Sequence, residues 1–465
     1  MKLTIEKMIY GGDGLGRLAP ADAPEPGGQP ATHRTQGRSS PAGPARESVQ
    51  PSHGKAVFVP FVLQGESVEI EIVENRPGFA RGQAISLLSP SPHRVEPECP
   101  YFGRCGGCQY QHAGYEHQLA IKQQVLCETL RRTAKIELAS PPQVHASPPW
   151  HYRNRTRLKV HSETSLGRPA LGYFAHASHQ FVPVEQCPIS SPLINRALRA
   201  LLKVAEFRPW AADIVEVELF ANHDDTALVA GFYTPTRIEA TKFQACFQAL
   251  QAGLPELRGV ALMHGIAGED DTASARRPAV QILGERWLEY ATGEGRFLAG
   301  AESFFQTNRF LVDELVSTVL GGSRGRRALD LYAGVGLFSL PLSKRFEQVT
   351  AVEIAPSAVE ALRANTHDAV EVLAAAAEQF LSQAARLGKL DLVVLDPPRG
   401  GVGERTARAL AALATPRITY VSCDPATLAR DLRPLLEAGF RIEQAHLLDL
   451  FPQTFHLETV LHLVR

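Results

Sequence analysis

The sequence predicts an α/β protein with a doubly wound, Rossmann-like domain at the C-terminus, preceded by a small N-terminal β-barrel and an α+β central domain. Three observations predict it. After Phe304, apolar runs at 328–331, 349–352, 392–395 and 418–421 alternate with helical segments and lead to two late strands, as in a parallel sheet with crossover helices. Near the start, runs at 2–9, 56–62, 67–73 and 82–88 read as short strands, several alternating apolar and polar. From 152 to about 290, strand-like runs such as 214–220 mix with helix-like ones such as 192–205.

The 465 residues have room for about three domains. Their 44% hydrophobic and 21% charged residues exclude global disorder. The stretch 20–53 is nearly all Pro, Gly, Ala, Ser, Thr, Gln and Arg, with Val49 its only branched aliphatic residue, and is expected to be a disordered insertion in the barrel. A Pro-rich passage at 89–100 marks a boundary, and 115–132 has helical periodicity. The expected domains are 1–90, 91–290 and 291–465.

Lys and Arg number 48 against 49 Asp and Glu, so any basic surface must be local. No apolar run reaches the roughly 18 residues of a membrane span, and the start lacks a secretory pattern, so a cytoplasmic protein with no membrane partner is expected. The seven cysteines, 99, 105, 108, 127, 187, 246 and 423, are odd in number and clustered, which favours reduced thiols with chemical work over a disulfide scaffold.

Asp330-Leu331-Tyr332-Ala333-Gly334-Val335-Gly336 closes a strand and opens a helix, and its glycines admit close approach of a ligand. Ser339 stands where a dinucleotide fingerprint has its third glycine. That favours a ligand without phosphate, and S-adenosylmethionine is the commonest one on this topology. Glu353 ends the next strand, where an acid can accept hydrogen bonds from ribose hydroxyls. Asp396-Pro397-Pro398-Arg399 lies at a later strand end, where Asp396 reads either as part of the cofactor site or as a helix cap.

Cys423 follows the strand 418–421, at the same sheet edge as the glycine turn. Helix amides beyond Pro425 would favour its thiolate and Asp424 would oppose it; a buried structural thiol is the plain alternative. Strand alternation over 455–463 puts His456 and Glu458 on one face, so Glu458 is a candidate general base or an edge charge. Cys99, Cys105, Cys108 and the distant Cys187 suit tetrahedral zinc or an iron-sulfur cubane equally well. Arg153, Arg155, Arg157 and Lys159 share one strand face, either tracking phosphates or simply solvated.

Asp396-Pro-Pro-Arg-Gly-Gly401, Ser422-Cys423 and Phe451-Pro-Gln-Thr-Phe-His-Leu-Glu458 occur in the order and spacing of the RNA uracil-5 methyltransferase family, and the resemblance covers essentially the whole chain. It implies Cys423 as nucleophile, Glu458 as base, and Gln306, Tyr332, Glu353 and Asp396 as contacts to S-adenosylmethionine. Uracil carbon 5 is a poor nucleophile, and thiolate addition at carbon 6 activates it. The family's Cys-x5-Cys-Gly-Gly-Cys pattern implies a [4Fe-4S] cluster on Cys99, Cys105, Cys108 and Cys187, with zinc as the alternative; Cys127 and Cys246 fall outside it. The segment Gly11-Gly-Asp-Gly-Leu-Gly-Arg17 and Gly54-Lys-Ala-Val-Phe-Val-Pro60 resemble the TRAM domain, an OB-type RNA-binding barrel whose binding face must avoid Glu66, Glu69, Glu71 and Glu74.

Two departures stand out: Asp424 replaces the usual asparagine after the cysteine, and Leu337 stands where some members have an asparagine. The resemblance is strongest to the branch that carries both TRAM and the four cysteines, which implies 23S ribosomal RNA as the partner; the sequence does not set the oligomeric state, and a monomer is simply assumed. Transfer RNA is the alternative substrate. Cytosine-5 methylation lacks its cysteine beside Pro397, amino-group methylation would need no cysteine, and a non-catalytic iron-sulfur RNA-binding or redox-sensing module is the rival of another class.

Overall fold

The computed structural model describes residues 1–18, 54–162, 169–204, 213–235, 238–264, 279–383 and 388–465. The expected insertion at 20–53 lies outside the described residues. The chain forms two compact units, 1–96 with 112–114, and 97–111 with 115–465.

In the first unit β1 (Lys2–Met8), β2 (Gly14–Leu18), β3 (Lys55–Val59), β4 (Ser67–Asn75) and β5 (Phe79–Ser89) close a barrel in the order β1-β2-β3-β5-β4. Alternation puts Leu3, Ile5, Val57, Val59, Val68 and Ile70 inside. The sequence reading missed β2 because its glycines look like a turn. Gly16 is needed for close strand approach: a Cβ there would lie 2.6 Å from the Thr4 carbonyl oxygen. Glu66 is not a surface acid but is fully buried, accepting from the Leu63 amide at 2.8 Å and from Arg94 Nε at 2.6 Å.

The second unit opens with the cysteine-bearing loop and helix α1 (Tyr115–Thr129), followed by the short strand β6 (Gln143–His145). Seven strands then form one sheet: β7 (Arg155–His161), β8 (Ala170–Phe174), β9 (Phe181–Pro183), β10 (Glu216–Ala221), β11 (Leu228–Thr234), β12 (Leu257–His264) and β13 (Ala279–Gly284). Helices α2 (Pro192–Lys203) and α3 (Ala240–Gly253) bury Leu193, Leu198 and Phe243 against one face. From the other face Phe220, Tyr233 and Met263 join the core under the hairpin of β14 (Trp287–Thr292) and β15 (Gly295–Gly300).

The last sheet has eight strands in the order β18-β17-β16-β19-β20-β22-β21-β6. Its members are β16 (Gly325–Leu331), β17 (Phe346–Glu353), β18 (Glu371–Ala374), β19 (Leu392–Leu395), β20 (Arg417–Ser422), β21 (Arg441–Leu448) and β22 (Glu458–Val464), besides β6. Strands β16 to β20 run parallel, β22 is antiparallel to β20, and β6 adds in parallel to β21. The doubly wound expectation therefore holds, with β18 and the borrowed β6 as strands the sequence reading lacked. Strand order turns at β16, between β17 and β19, so the crevice lies beyond its carboxyl end. No helix among the described residues is long and apolar enough to cross a membrane.

Candidate active site

The glycine turn follows β16 directly. Tyr332, Gly334 and Gly336 have φ of 61°, 55° and 95°. The tyrosine is a side chain held in a conformation that favours glycine, and such strain gathers at functional sites. At Gly336 a Cβ would lie 2.7 Å from Leu362 Cδ1, so the turn also presses on the helix that follows β17. The Gly334 amide donates to Glu353 Oε2 at 2.9 Å, while the Ile354 and Ala355 amides donate to Oε1 at 2.8 and 2.7 Å. Glu353 is thus fixed at the tip of β17 beside the turn. Beyond it a cavity of about 320 Å³ is lined by Ile354, Pro356, Val359, Glu360, Arg363 and Ala374. The Tyr332 hydroxyl reaches Glu378 Oε1 at 3.4 Å.

Asp330, which the sequence reading did not assign, is fully buried under this turn. Ser339 Oγ donates to its Oδ2 at 2.5 Å, and its Oδ1 has no partner. Burial, opposed by the Ser339 bond and reinforced by the Asp396 and Glu353 carboxylates, pushes its carboxyl up to about 7. An orphaned acceptor, a fixed acid and an adjoining cavity fit a polar cofactor with a ribose.

The Asp396 to Gly401 loop leaves β19 and is tied to helix α9 (Pro425–Glu437). With α4 (Val312–Leu320), α5 (Ser339–Ser343), α6 (Pro356–Thr366), α7 (Ala377–Leu381) and α8 (Glu404–Ala411), this helix completes the layers around the sheet. Buried Asp431 accepts from the Val402 amide at 2.8 Å and from the Tyr420 hydroxyl at 2.9 Å. Arg430 donates to the Gly400 carbonyl at 2.7 Å, and Thr427 Oγ1 to the Arg399 carbonyl at 3.1 Å. Gly401, with φ 68°, is required there, because a Cβ would fall 2.3 Å from Asp431 Oδ2.

Cys423 stands between the end of β20 and α9, so its loop and the Asp396 loop share one anchor. Asp424 caps that helix, accepting from the Ala426 and Thr427 amides, both at 2.9 Å. Asparagine would cap equally well, so the cap does not account for the departure, and the Asp424 charge opposes the neighbouring thiolate. Burial, then Glu458 and Asp396, push the Cys423 thiol up to about 12, while Arg399 pulls it back. Burial alone pushes Asp396 up to about 7. Burial and Asp396 drive the Glu458 carboxyl well above its ordinary range, again opposed by Arg399. Cys423, Asp396, Glu458 and Arg399 therefore converge on one another at the carboxyl ends of β19 and β20.

Glu458 begins β22 rather than lying within a strand from 455, and His456 stands in the preceding loop. The two still face a common group, for Arg399 Nη2 donates to His456 Nε2 at 3.4 Å. Burial, then the nearby cations, Arg399 first, push His456 down to about 3 and keep it neutral. Gln306 is buried in the segment that leaves β15, where the Thr307 carbonyl accepts from the Asn154 amide at 2.9 Å.

The basic stripe is largely taken up by ion pairs. Strand β10 pairs with β7 so that Glu218 lies opposite Arg157 and Glu216 opposite Lys159. Glu218 takes an ion pair from buried Arg155 and one from Arg157 at 2.7 Å, and Glu216 pairs with Lys159. Arg155 also donates to the Ala301 and Ser303 carbonyls, at 2.9 and 2.5 Å, bracing the segment that carries Gln306. Arg153 turns to the Arg155 carbonyl at 2.8 Å. The acids on the neighbouring strand could not be seen from β7 alone.

Cys99, Cys105, Cys108 and Cys187 belong to one neighbourhood. Burial pushes the first three thiols up, and the charge of Cys187 pushes each further. Among the described residues no three His, Cys, Asp or Glu side chains are arranged to hold a metal ion. Of the two cysteines outside the pattern, both expected as core thiols, Cys246 lies in the core of the middle sheet, whereas Cys127 on α1 is only half-buried.

Residues 114–465 match the model of the tRNA (uracil-5-)-methyltransferase family. The chain belongs to that family. It is accordingly an S-adenosylmethionine-dependent RNA uracil-5 methyltransferase. An uncharacterized RNA methyltransferase of Aquifex aeolicus is 30% identical over 99% of this chain and 97% of its own. The 23S rRNA (uracil(1939)-C(5))-methyltransferase RlmD of Chromohalobacter salexigens is 33% identical over 89% of this chain and 85% of its own. Among solved structures, the Pyrococcus abyssi tRNA (uracil-54, C5)-methyltransferase in complex with S-adenosyl-L-homocysteine shares the fold, with a TM-score of 0.69 at 24% identity, over 88% of this chain and 96% of that one.

Proposed function

We propose that the chain methylates carbon 5 of a uridine in 23S ribosomal RNA through covalent addition of Cys423 to carbon 6. The observation that carries this reading is the meeting of strand ends: Ser422 pairs with Thr459, which sets Cys423 and Glu458 at adjoining strand ends, the Asp396 amide donates to the Leu331 carbonyl at 3.4 Å just before the glycine turn, and Arg399 reaches His456, two residues before Glu458. The ribosomal substrate is supported by the relative named for it. In this reading Gln306, Tyr332, Glu353 and Asp396 hold S-adenosylmethionine, with Glu353 accepting from the ribose. Bound there, the cofactor supplies a methyl group on a sulfonium.

The Cys423 thiol gives its proton to solvent, and Arg399 favours the thiolate that remains. The sulfur forms a bond to carbon 6, and the electron pair of the carbon 5–carbon 6 bond moves to carbon 5 and its neighbouring carbonyl. After methylation the carbon 5 proton passes to Glu458. Its pair restores the double bond, and the carbon–sulfur bond breaks with its pair returning to Cys423. Glu458 takes that proton in its ionised form, which burial and Asp396 disfavour and Arg399 favours.

Cys99, Cys105, Cys108 and Cys187 are proposed to hold a [4Fe-4S] cluster, with zinc as the alternative. What supports this is the donor set and the half-buried Arg153, whose backbone bridges Ser190 just after Cys187 and whose charge favours the Cys105 thiolate. The proposed division of labour gives 1–90 to RNA binding as the TRAM-like barrel, 91–290 to the cysteine site and 291–465 to methyl transfer in the cytoplasm.

The test is transfer of labelled methyl to unmodified 23S ribosomal RNA and to transfer RNA, with digestion to nucleosides. Label in 5-methyluridine of the ribosomal RNA, lost in Cys423→Ala, is expected. Label only in transfer RNA overturns the substrate, and label that survives in the variant overturns the covalent step.

A further inference from the structure

The loop that precedes Glu458 is held from outside its own sheet. Gln453 has φ 70° and is 3% exposed. Its carbonyl accepts from the amides of Gln109 and Tyr110, at 3.0 and 2.9 Å. Its amide donates to Gln118 Oε1 at 2.9 Å, and its Oε1 accepts from Gln118 Nε2 at 2.9 Å. The neighbours are held as well: the Pro452 carbonyl by the Tyr152 hydroxyl at 3.0 Å, the Phe451 carbonyl by Lys122 Nζ at 2.9 Å and the Phe455 amide by Gln109 Oε1 at 3.4 Å. Gln109 follows Cys108 directly, and its Nε2 donates to the Gly106 carbonyl at 2.7 Å.

We infer that Gln453, gripped by the cysteine loop through Gln109 and Tyr110 and by helix α1 through Gln118, is a positioning residue that sets the Glu458 carboxylate for proton removal. This rests on the reading of Glu458 as the base. A residue in the left-handed region returns to ordinary backbone when its restraints are cut. Here that would swing the 454–457 segment and move the carboxylate, with no change at Cys423 or the glycine turn. The cysteine loop is thereby mechanically joined to one step of the reaction, the elimination that follows methylation.

The consequence is specific. Thiol addition and methylation do not need the base, but release does, because the carbon–sulfur bond breaks only as the carbon 5 proton leaves. Cutting the grip should therefore trap protein on RNA. The experiment compares Gln118→Leu, which removes both side-chain bonds to Gln453, Gln109→Ala, which removes the bond to the Phe455 amide and the tie to Gly106 that steadies the cysteine loop, and Cys108→Ser with wild type and Glu458→Gln, using S-adenosylmethionine and an unmodified 23S ribosomal RNA transcript. Released 5-methyluridine RNA, denaturant-resistant protein–RNA adduct and the melting temperature are measured together.

Gln118→Leu and Gln109→Ala are expected to turn over at least tenfold more slowly while adduct rises at least fivefold, with KM for S-adenosylmethionine within twofold of wild type. Cys108→Ser is expected to trap adduct in the same way. Turnover within threefold of wild type in both glutamine variants overturns the inference, as does turnover lost together with adduct and melting temperature. Adduct in the glutamine variants and none in Cys108→Ser overturns the link to the cysteines. If Glu458→Gln itself traps nothing, the assignment of the base fails instead, and the two failures are thus told apart.

Discussion

Lys122 Nζ and Asp449 Oδ1 stand 2.6 Å apart in an ion pair that solvent does not reach, with side-chain exposures of 1% and 0%. The lysine comes from α1 and the aspartate from just beyond β21, so the pair fastens that helix to the start of the loop that leads to Glu458. Burial works to push the lysine below its ordinary range, and the aspartate, then Cys108, oppose it. Removing one partner strands a buried charge, at a cost of about 3–5 kcal/mol. Lys122→Met should lower stability by that order in urea unfolding, and Lys122→Met with Asp449→Leu should recover most of it. Equal loss in the single and double variants would refute the pairing.

The Cys423 thiol, pushed up to about 12 by burial and two carboxylates, should be sluggish in the free protein. Alkylation by iodoacetamide, followed at this residue by mass spectrometry, is expected to rise about tenfold per pH unit between about pH 7 and 10, following the thiolate fraction. Arg399→Ala should slow it at every pH, because that guanidinium favours the thiolate. A plateau reached below about pH 8.5, the range of an unperturbed thiol, would contradict the burial argument.

Asp330 should limit the stability of its own domain at alkaline pH. Its folded-state value of about 7 lies above the ordinary 3.8, so the favourable contribution is complete in acid and is lost as pH rises through 7. The difference is roughly three units, or on the order of 4 kcal/mol at most by the linkage of about 1.4 kcal/mol per unit. Asp330→Asn keeps an acceptor for Ser339 and carries no charge. Its melting temperature relative to wild type is expected to climb from about pH 5 to pH 8, and a gap that does not change with pH would show that Asp330 does not titrate there.

These tests separate what the sequence discloses from what it hides. The glycine turn, Glu353, the Asp396 loop and Cys423 are legible because each sits at the end of an apolar strand, where chain direction alone delivers it to the crevice. Lys122 and Asp449 are 327 residues apart, and nothing in local pattern joins them. Gln453 carries a conformation that only its partners impose, and Gln118 and Gln109 lie in the segment expected to serve the cysteines. Strand β6 has three residues, too few for a periodic signal. Asp330 looked like the end of a strand, and its unmet acceptor is visible only in three dimensions.

The stripe on β7 gives the sharpest contrast between pattern and structure. Four cations on one face suggested phosphates, yet Glu218 lies between Arg155 and Arg157, which with burial opposing them hold its carboxyl down at about 2. A carboxylate so depressed contributes stability above its ordinary value of 4.5 that is lost as pH falls toward 2. Arg155→Met should therefore cost about 3–5 kcal/mol near neutral pH, since Glu218 is left buried with a weaker partner. Lys159→Ala, which removes a half-exposed charge from a pair rather than a phosphate contact, should change the slope of RNA affinity against salt by well under the ~0.7–0.9 expected for one lost phosphate contact. A loss of a full unit, measured by filter binding from about 50 to 200 mM salt, would return the stripe to the RNA surface.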